Sequence, residues 1–307
     1  MAAIDVKYRA QAVLLGGRRS LVGVITRPPA PSPAGQPAVV MINTGIVHRV
    51  GHHRMYVELA RGLAADGWTA VRFDLSGIGD SPPRNDRLSP LEAAVADIRE
   101  ALDSLEKTHR LSRFVLVGLC SGADHAVLYG HTDPRVVGMV LMDPTMPPTK
   151  RYYLHYVMQR FFSPRNWLSV VTGRSGLLRL LWAQWRHRRQ VQPGLRGLTL
   201  QNLPFNPYLV QCYRRAAAHG VRMLSVFTAV SVRHTYKRQI LDAFPEAAAA
   251  GALRLEFLPD SDHLFSTAAV RTRLYRLIAD WLEAERIAEP EEASTDETEG
   301  VAGLSHR

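Results

Sequence analysis

Short unbroken apolar runs recur along this chain, separated by longer stretches in which apolar residues return every three or four positions. The runs "AVVMIN" (38–43), "TAVRFD" (69–74), "RFVLVG" (113–118), "RVVGMVLMD" (135–143), "VRMLSVFTA" (221–229) and "LRLEFL" (253–258) predict strands. Runs without polar alternation predict strands covered on both faces. Before them, "QAVLLGGRRSLVGVITR" (11–27) predicts two short strands around Gly16 and Gly17, and the Pro-rich "PPAPSPAGQP" (28–37) is a connector. The stretches between have helical spacing. Met55, Leu59 and Leu63 share one face of a helix over 54–66, with Gly67 as its stop. A long helix starts at Ser89, with Pro90 at its first position and Glu92 completing a capping box; its apolar stripe is Leu91, Val95, Ile98, Leu102 and Leu105. Further helices are expected over 122–131 and 268–283. Strand alternating with helix predicts an α/β fold with a mostly parallel central sheet flanked by helices.

The alternation breaks after residue 146. Residues 147–218 are rich in Arg, Trp, Tyr and Leu, show helical patches and no clear strand, and predict an inserted helical cap. The expected organisation is a core of 1–146 and 219–285, a cap of 147–218, and an acidic tail of 286–307 too poor in apolar residues to fold.

Charge adds a second feature. The chain of 307 residues carries a formal net charge of +10. From Pro144 to Leu241 there is no Asp or Glu but there are sixteen Lys and Arg residues. Such a surface attracts anions, or keeps an apolar lid soluble through arginine stems. No nucleic-acid motif accompanies it, so no nucleic-acid partner is expected. Two cysteines, Cys120 and Cys212, make no disulfide framework and suit a reducing compartment. No secretory signal and no apolar stretch of membrane-spanning length is visible. The expectation is a cytoplasmic protein, with peripheral membrane contact left open by its basic stretch.

The chemistry concentrates in "GLCSG" (118–122), between a buried strand and a helix. A strand ending in Gly-x-nucleophile-x-Gly and turning at once into a helix is a nucleophile elbow. The turn is tight, so the residues two before and two after the nucleophile must be small. With Cys120 as nucleophile these are Gly118 and Gly122. With Ser121, the alternative nucleophile, they are Leu119 and Ala123, and a leucine does not fit such a turn. The reading therefore favours Cys120, a thiol whose anion a helix N-terminus stabilises. The helix start also supplies the Ser121 N–H to an oxyanion.

These residues, with "FDLSGIGDS" (73–81), "NTGIVHR" (43–49) and "LPDSDHLF" (258–265), resemble the α/β-hydrolase superfamily. The resemblance covers about residues 10 to 285. It is nearest to the serine-aminopeptidase-like branch and to hydrolases associated with exosortase systems, with a cysteine elbow similar to that of dienelactone hydrolases. It implies that His263, after the last strand, is the general base. It implies a second oxyanion donor in the loop after Asn43, at Gly45 or Ile46. The acid of such a triad usually follows the strand at 221–229, where Ser231 stands instead of a carboxylate. Asp143, ending the previous strand, is the alternative, with Asp260 and Asp262 beside the histidine as further carboxylates. Asp74, Gly77 and Gly79 are read as shaping a turn. His48, His52 and His53 lack ligand-spaced partners, so no metal is expected, and no cofactor is implied.

The resulting expectation is hydrolysis of a carboxylic ester or thioester through an acyl-cysteine. The substrate would pair an apolar acyl chain with an anionic handle such as coenzyme A or acyl carrier protein, met by Arg186, Arg188 and Arg189. Acyl transfer with the same nucleophile, and a silent hydrolase fold used for binding, are the alternatives.

Overall fold

The computed structural model describes residues 7–17, 20–33, 35–154, 194–229 and 236–288. Eight strands form one sheet: β1 (Arg9–Leu15), β2 (Leu21–Arg27), β3 (Ala38–Ile42), β4 (Ala70–Phe73), β5 (Phe114–Leu119), β6 (Val136–Met142), β7 (Arg222–Thr228) and β8 (Leu253–Leu258). Their order is β1-β2-β4-β3-β5-β6-β7-β8. The hairpin β1-β2 and the pair β2-β4 are antiparallel, and all other neighbours are parallel. The helices include α1 (Met55–Ala65), α2 (Pro90–His109), α3 (Ser121–Gly130), α4 (Pro207–Ala218), α5 (Gln239–Ala243), α6 (Pro245–Ala249) and α7 (Ala268–Ala288).

Alternate residues of each central strand serve different layers. On β3, Ala38, Val40 and Ile42 join the core beneath α2, α3 and α4, while Val39 and Met41 join the core beneath α1 and α7. Both sets are buried, which is why these strands show no polar alternation. The predicted start of α2 is present in full. Ser89 Oγ accepts from the Glu92 N–H, and the Glu92 carboxylate accepts from the Ser89 N–H, satisfying two otherwise orphaned donors.

The stretch predicted as one cap divides. Its last part is α4, which buries Leu209, Cys212, Tyr213 and Ala216 in the main core against α3. Their spacing of three and four residues is the ordinary signature of a helix packed on a sheet layer. Residues 155–193, with Arg186, Arg188 and Arg189, lie outside the described residues, as do Ser231 and the tail beyond 288. Among the described residues no helix is long and apolar enough to cross a membrane.

Strand order decides where a site can form. The chain passes from β3 to β4 on one side and then crosses from β4 back over β3 to β5 on the other, so the order reverses between β3 and β5. In open α/β sheets the crevice at the carboxyl ends of such strands is the place where ligands bind. The pairing Ile42↔Gly118 brings the ends of β3 and β5 together there. The loop from Asn43 and the turn at Cys120 leave the sheet at that crevice.

Candidate active site

Cys120 sits between β5 and α3 with φ 57° and ψ −118°, a conformation that costs a non-glycine residue on the order of 1–3 kcal/mol. The crowding predicted for the turn falls on the two glycines. A Cβ on Gly118 would land in the backbone of Gly122, and one on Gly122 would lie 2.6 Å from the Asn43 carbonyl oxygen. Leu119 points into the core under α1, and Ala123 into the opposite core. Cys120 is partly buried while Ser121 is 4% exposed. Absence of side chains at 118 and 122 thus lets the elbow press against the end of β3.

His263, in the loop after β8, reaches Cys120 from the other side. Its Nδ1 is 2.8 Å from Asp143 Oδ2, and its ring also hydrogen-bonds Cys120. The Asp143 carboxylate foremost, with Cys120 beyond it, raises the imidazole from its ordinary 6.5 to about 9, against the opposing effect of burial. Asp143 is fully buried at the end of β6 with φ 44°. Thr228, the last residue of β7, clasps it: the Thr228 N–H donates to Oδ1 at 2.9 Å and the hydroxyl to Oδ2 at 2.7 Å. Burying a carboxylate is costly unless donors replace its water, and Thr228 supplies two. The structure therefore brings Cys120, His263 and Asp143 into one hydrogen-bonded chain. Asp260 and Asp262 stay outside it: Asp260 is surface-exposed near Arg273, and Asp262 accepts from the Ser266 N–H.

The loop after β3 faces the elbow. Gly45 has φ 53°, and its N–H donates to Ser121 Oγ at 2.7 Å. Ile46, the other loop residue predicted to donate, carries a side chain 92% exposed. Asp74 anchors this loop. It is fully buried and accepts from the Asn43 side chain, the Arg49 N–H and the Asp80 N–H, and pairs with the Arg49 guanidinium. Gly79 has no room for a Cβ beside that carboxylate. The "FDLSGIGDS" turn is thus the support of the loop over Asn43–Arg49, and it places no group at the thiol.

Three supporting residues have no signal in the sequence. Thr228 ends a strand like many threonines. Tyr56 lies on the buried face of α1, yet its hydroxyl donates to the Ile42 carbonyl at 3.0 Å, accepts from the Leu119 N–H at 3.2 Å and meets Thr44 Oγ1 at 3.3 Å. Burial pushes that hydroxyl up to about 12, so it remains a neutral donor tying β3, the loop and β5 together. Asp124, on α3, accepts from both the N–H and the hydroxyl of Thr145 at 2.7 Å. His52 approaches His263 closely enough that burial, its neighbour His53 and then His263 all lower its basicity. Among the described residues no group of three His, Cys, Asp or Glu side chains could hold a metal ion.

A sheet reversing at β3/β5, a thiol elbow at that reversal and a histidine after the last strand define an α/β hydrolase. The chain belongs to the serine aminopeptidase, S33, family, whose model matches residues 37–192. Solved structures with the same fold include an esterase from Pyrococcus furiosus, 12% identical, with a TM-score of 0.55 over 90% of each chain. An alpha-beta serine hydrolase homologue from Coxiella burnetii is 14% identical, with a TM-score of 0.54 over 89% of this chain and 97% of that one. A Klebsiella pneumoniae protein carrying a dienelactone hydrolase assignment is 13% identical, with a TM-score of 0.54 over 90% and 98%. No curated protein matches the sequence.

Proposed function

We propose that this hydrolase cleaves carboxylic esters or thioesters through an acyl-cysteine formed on Cys120. The observation that carries the reading is the hydrogen-bonded chain Asp143–His263–Cys120 at the elbow. In this reading the proton of the Cys120 thiol already rests on His263, whose raised basicity holds it there, and the sulfur attacks the substrate carbonyl carbon. Charge develops on the carbonyl oxygen against the Ser121 N–H and the Gly45 loop. The intermediate collapses by expelling the alcohol or thiol, which leaves with the proton from His263. Water then attacks the acyl-cysteine with His263 as base, and the free thiol is restored. Asp143 holds the imidazole in the tautomer and orientation these transfers need.

The family's name refers to a serine, and this chain has a thiol in the elbow. That departure suits acyl groups with fair leaving groups. A thiolate leaving group is about as stable as the Cys120 sulfur, so a thioester intermediate partitions forward readily, and an ester does so with the His263 proton. The exposed Ile46 on the loop and the apolar content of 155–193 support an apolar acyl chain, and the sixteen basic residues over 144–241 support an anionic handle, as in an acyl-CoA or acyl carrier protein. A working thiol also suits the reducing cytoplasm, where we place the protein.

The test is intact and peptide-level mass spectrometry after a short exposure to an activated acyl ester. Wild type is expected to carry one acyl group on the peptide containing Cys120. Cys120→Ala is expected to lose it and Ser121→Ala to retain it. Acylation that persists in Cys120→Ala and vanishes in Ser121→Ala would make this a serine hydrolase.

A further inference from the structure

The Gly45 N–H does not point into an open crevice. It is taken up by the Ser121 hydroxyl, at 2.7 Å. Ser121 is buried at the first turn of α3, where its own N–H has no partner within the helix. The Ser121 oxygen accepts from Gly45, so its hydroxyl proton remains to be donated. The position is shaped around this contact. Gly45 at φ 53° turns its N–H toward the elbow, and the Asp74–Arg49–Asn43 network fixes the loop that carries it. On the far side Tyr56 locks Thr44 to the ends of β3 and β5.

We infer that Ser121 serves the oxyanion twice, through its N–H and through its hydroxyl, and that Gly45 acts through that hydroxyl. The inference rests on Cys120 being the nucleophile. When the Cys120 sulfur bonds to the carbonyl carbon, the C=O electron pair moves to oxygen, and the Ser121 O–H donates to it without transferring its proton. A hydroxyl that already accepts from a backbone N–H is a stronger donor, because hydrogen bonds in a chain polarise one another. Gly45 thereby contributes without touching the substrate. Ser121, the second nucleophile suggested by the sequence, acquires a function as a donor.

The alternative is that the hydroxyl merely plugs the Gly45 N–H until substrate displaces it. Ser121→Ala separates the two. A donor of this kind is worth about 10²–10³-fold in kcat. Ser121→Ala is therefore expected to lower kcat by about 10²-fold on an activated acyl ester, with KM within about threefold, since the bond strengthens only in the transition state. The same ester is then compared with its thionoester, in which sulfur replaces the carbonyl oxygen and accepts hydrogen bonds poorly. The ester-to-thionoester ratio of kcat/KM is expected to fall by about tenfold or more in Ser121→Ala, because part of the discrimination was made by the lost hydroxyl. A general loosening of the elbow would lower both substrates alike and leave the ratio unchanged. An unchanged ratio, or an unchanged or increased kcat, overturns the inference. Acyl mass on Cys120 in the variant shows at the same time that the nucleophile reading survives. Its absence from Cys120 in wild type would overturn that reading and this inference with it.

Discussion

Asp143 and Asp124 are both buried, and each is held in the same way. Asp143 accepts from the N–H and hydroxyl of Thr228 at 2.9 and 2.7 Å, and Asp124 from the N–H and hydroxyl of Thr145, both at 2.7 Å. The difference lies in what each carboxylate joins. Asp143 directly follows β6 in a left-handed conformation and offers Oδ2 to His263. Asp124 stands four residues beyond Cys120 on α3, and reaches across to the segment two residues after Asp143. One carboxylate meets an imidazole that can be charged. The other ties the helix that follows Cys120 to the loop that follows Asp143. In both places a threonine supplies two donors to a buried carboxylate, and the contact with His263 is what sets Asp143 apart.

That comparison breaks most sharply in activity. Asp143→Asn should lower kcat/KM by about 10²–10⁴-fold, because the amide favours the wrong tautomer of His263. Asp124→Asn should stay within about tenfold of wild type, since its loss acts only through positioning. Equal losses in steady-state hydrolysis would show that the two carboxylates are not functionally distinct. Stability should separate them far less, since each carboxylate accepts from two buried donors. Asp124→Asn should cost about 1–3 kcal/mol in urea unfolding, because one of the two oxygens that accept from buried donors is replaced by an amide nitrogen that cannot accept.

The pH dependence is a smaller effect with a defined sign. His263 has a folded pKa of about 9 against an ordinary 6.5, so its charged form is favoured by folding. The stability it contributes is fully present below pH 6.5 and lost as pH rises toward 9. Unfolding titrations should show this loss in wild type and in Asp124→Asn, and a flattened profile in Asp143→Asn. The smallest effect expected is that of Thr228→Val, about 1 kcal/mol in stability, with kcat/KM lowered more than in Thr145→Val. The reverse order of activities would place Asp124 nearer the chemistry than Asp143.

Much of the architecture was legible because it rests on local periodicity. The strand at 253–258 and the capped start at Ser89 follow from run length, spacing and capping chemistry. The helix over 207–218 was read as part of a cap, because its amphipathic spacing does not say which surface it covers. Within the site, the crowding of Gly118 and Gly122 was legible from a pentapeptide, since both belong to one turn. The carboxylate meeting His263 was one alternative among several, because residues 143 and 263 are brought together only by the sheet.

By itself, the sequence determined the α/β alternation, the elbow with its thiol, and the loop and histidine segments that accompany it. These are short-range properties: periodicity, turn sterics and caps act over a few residues. The tertiary structure alone decided that Asp143 meets His263, that Thr228 and Tyr56 support the site, and that Ser121 takes the Gly45 N–H. Those contacts join residues far apart in the chain, and strand order, which no local pattern encodes, sets which of them become neighbours.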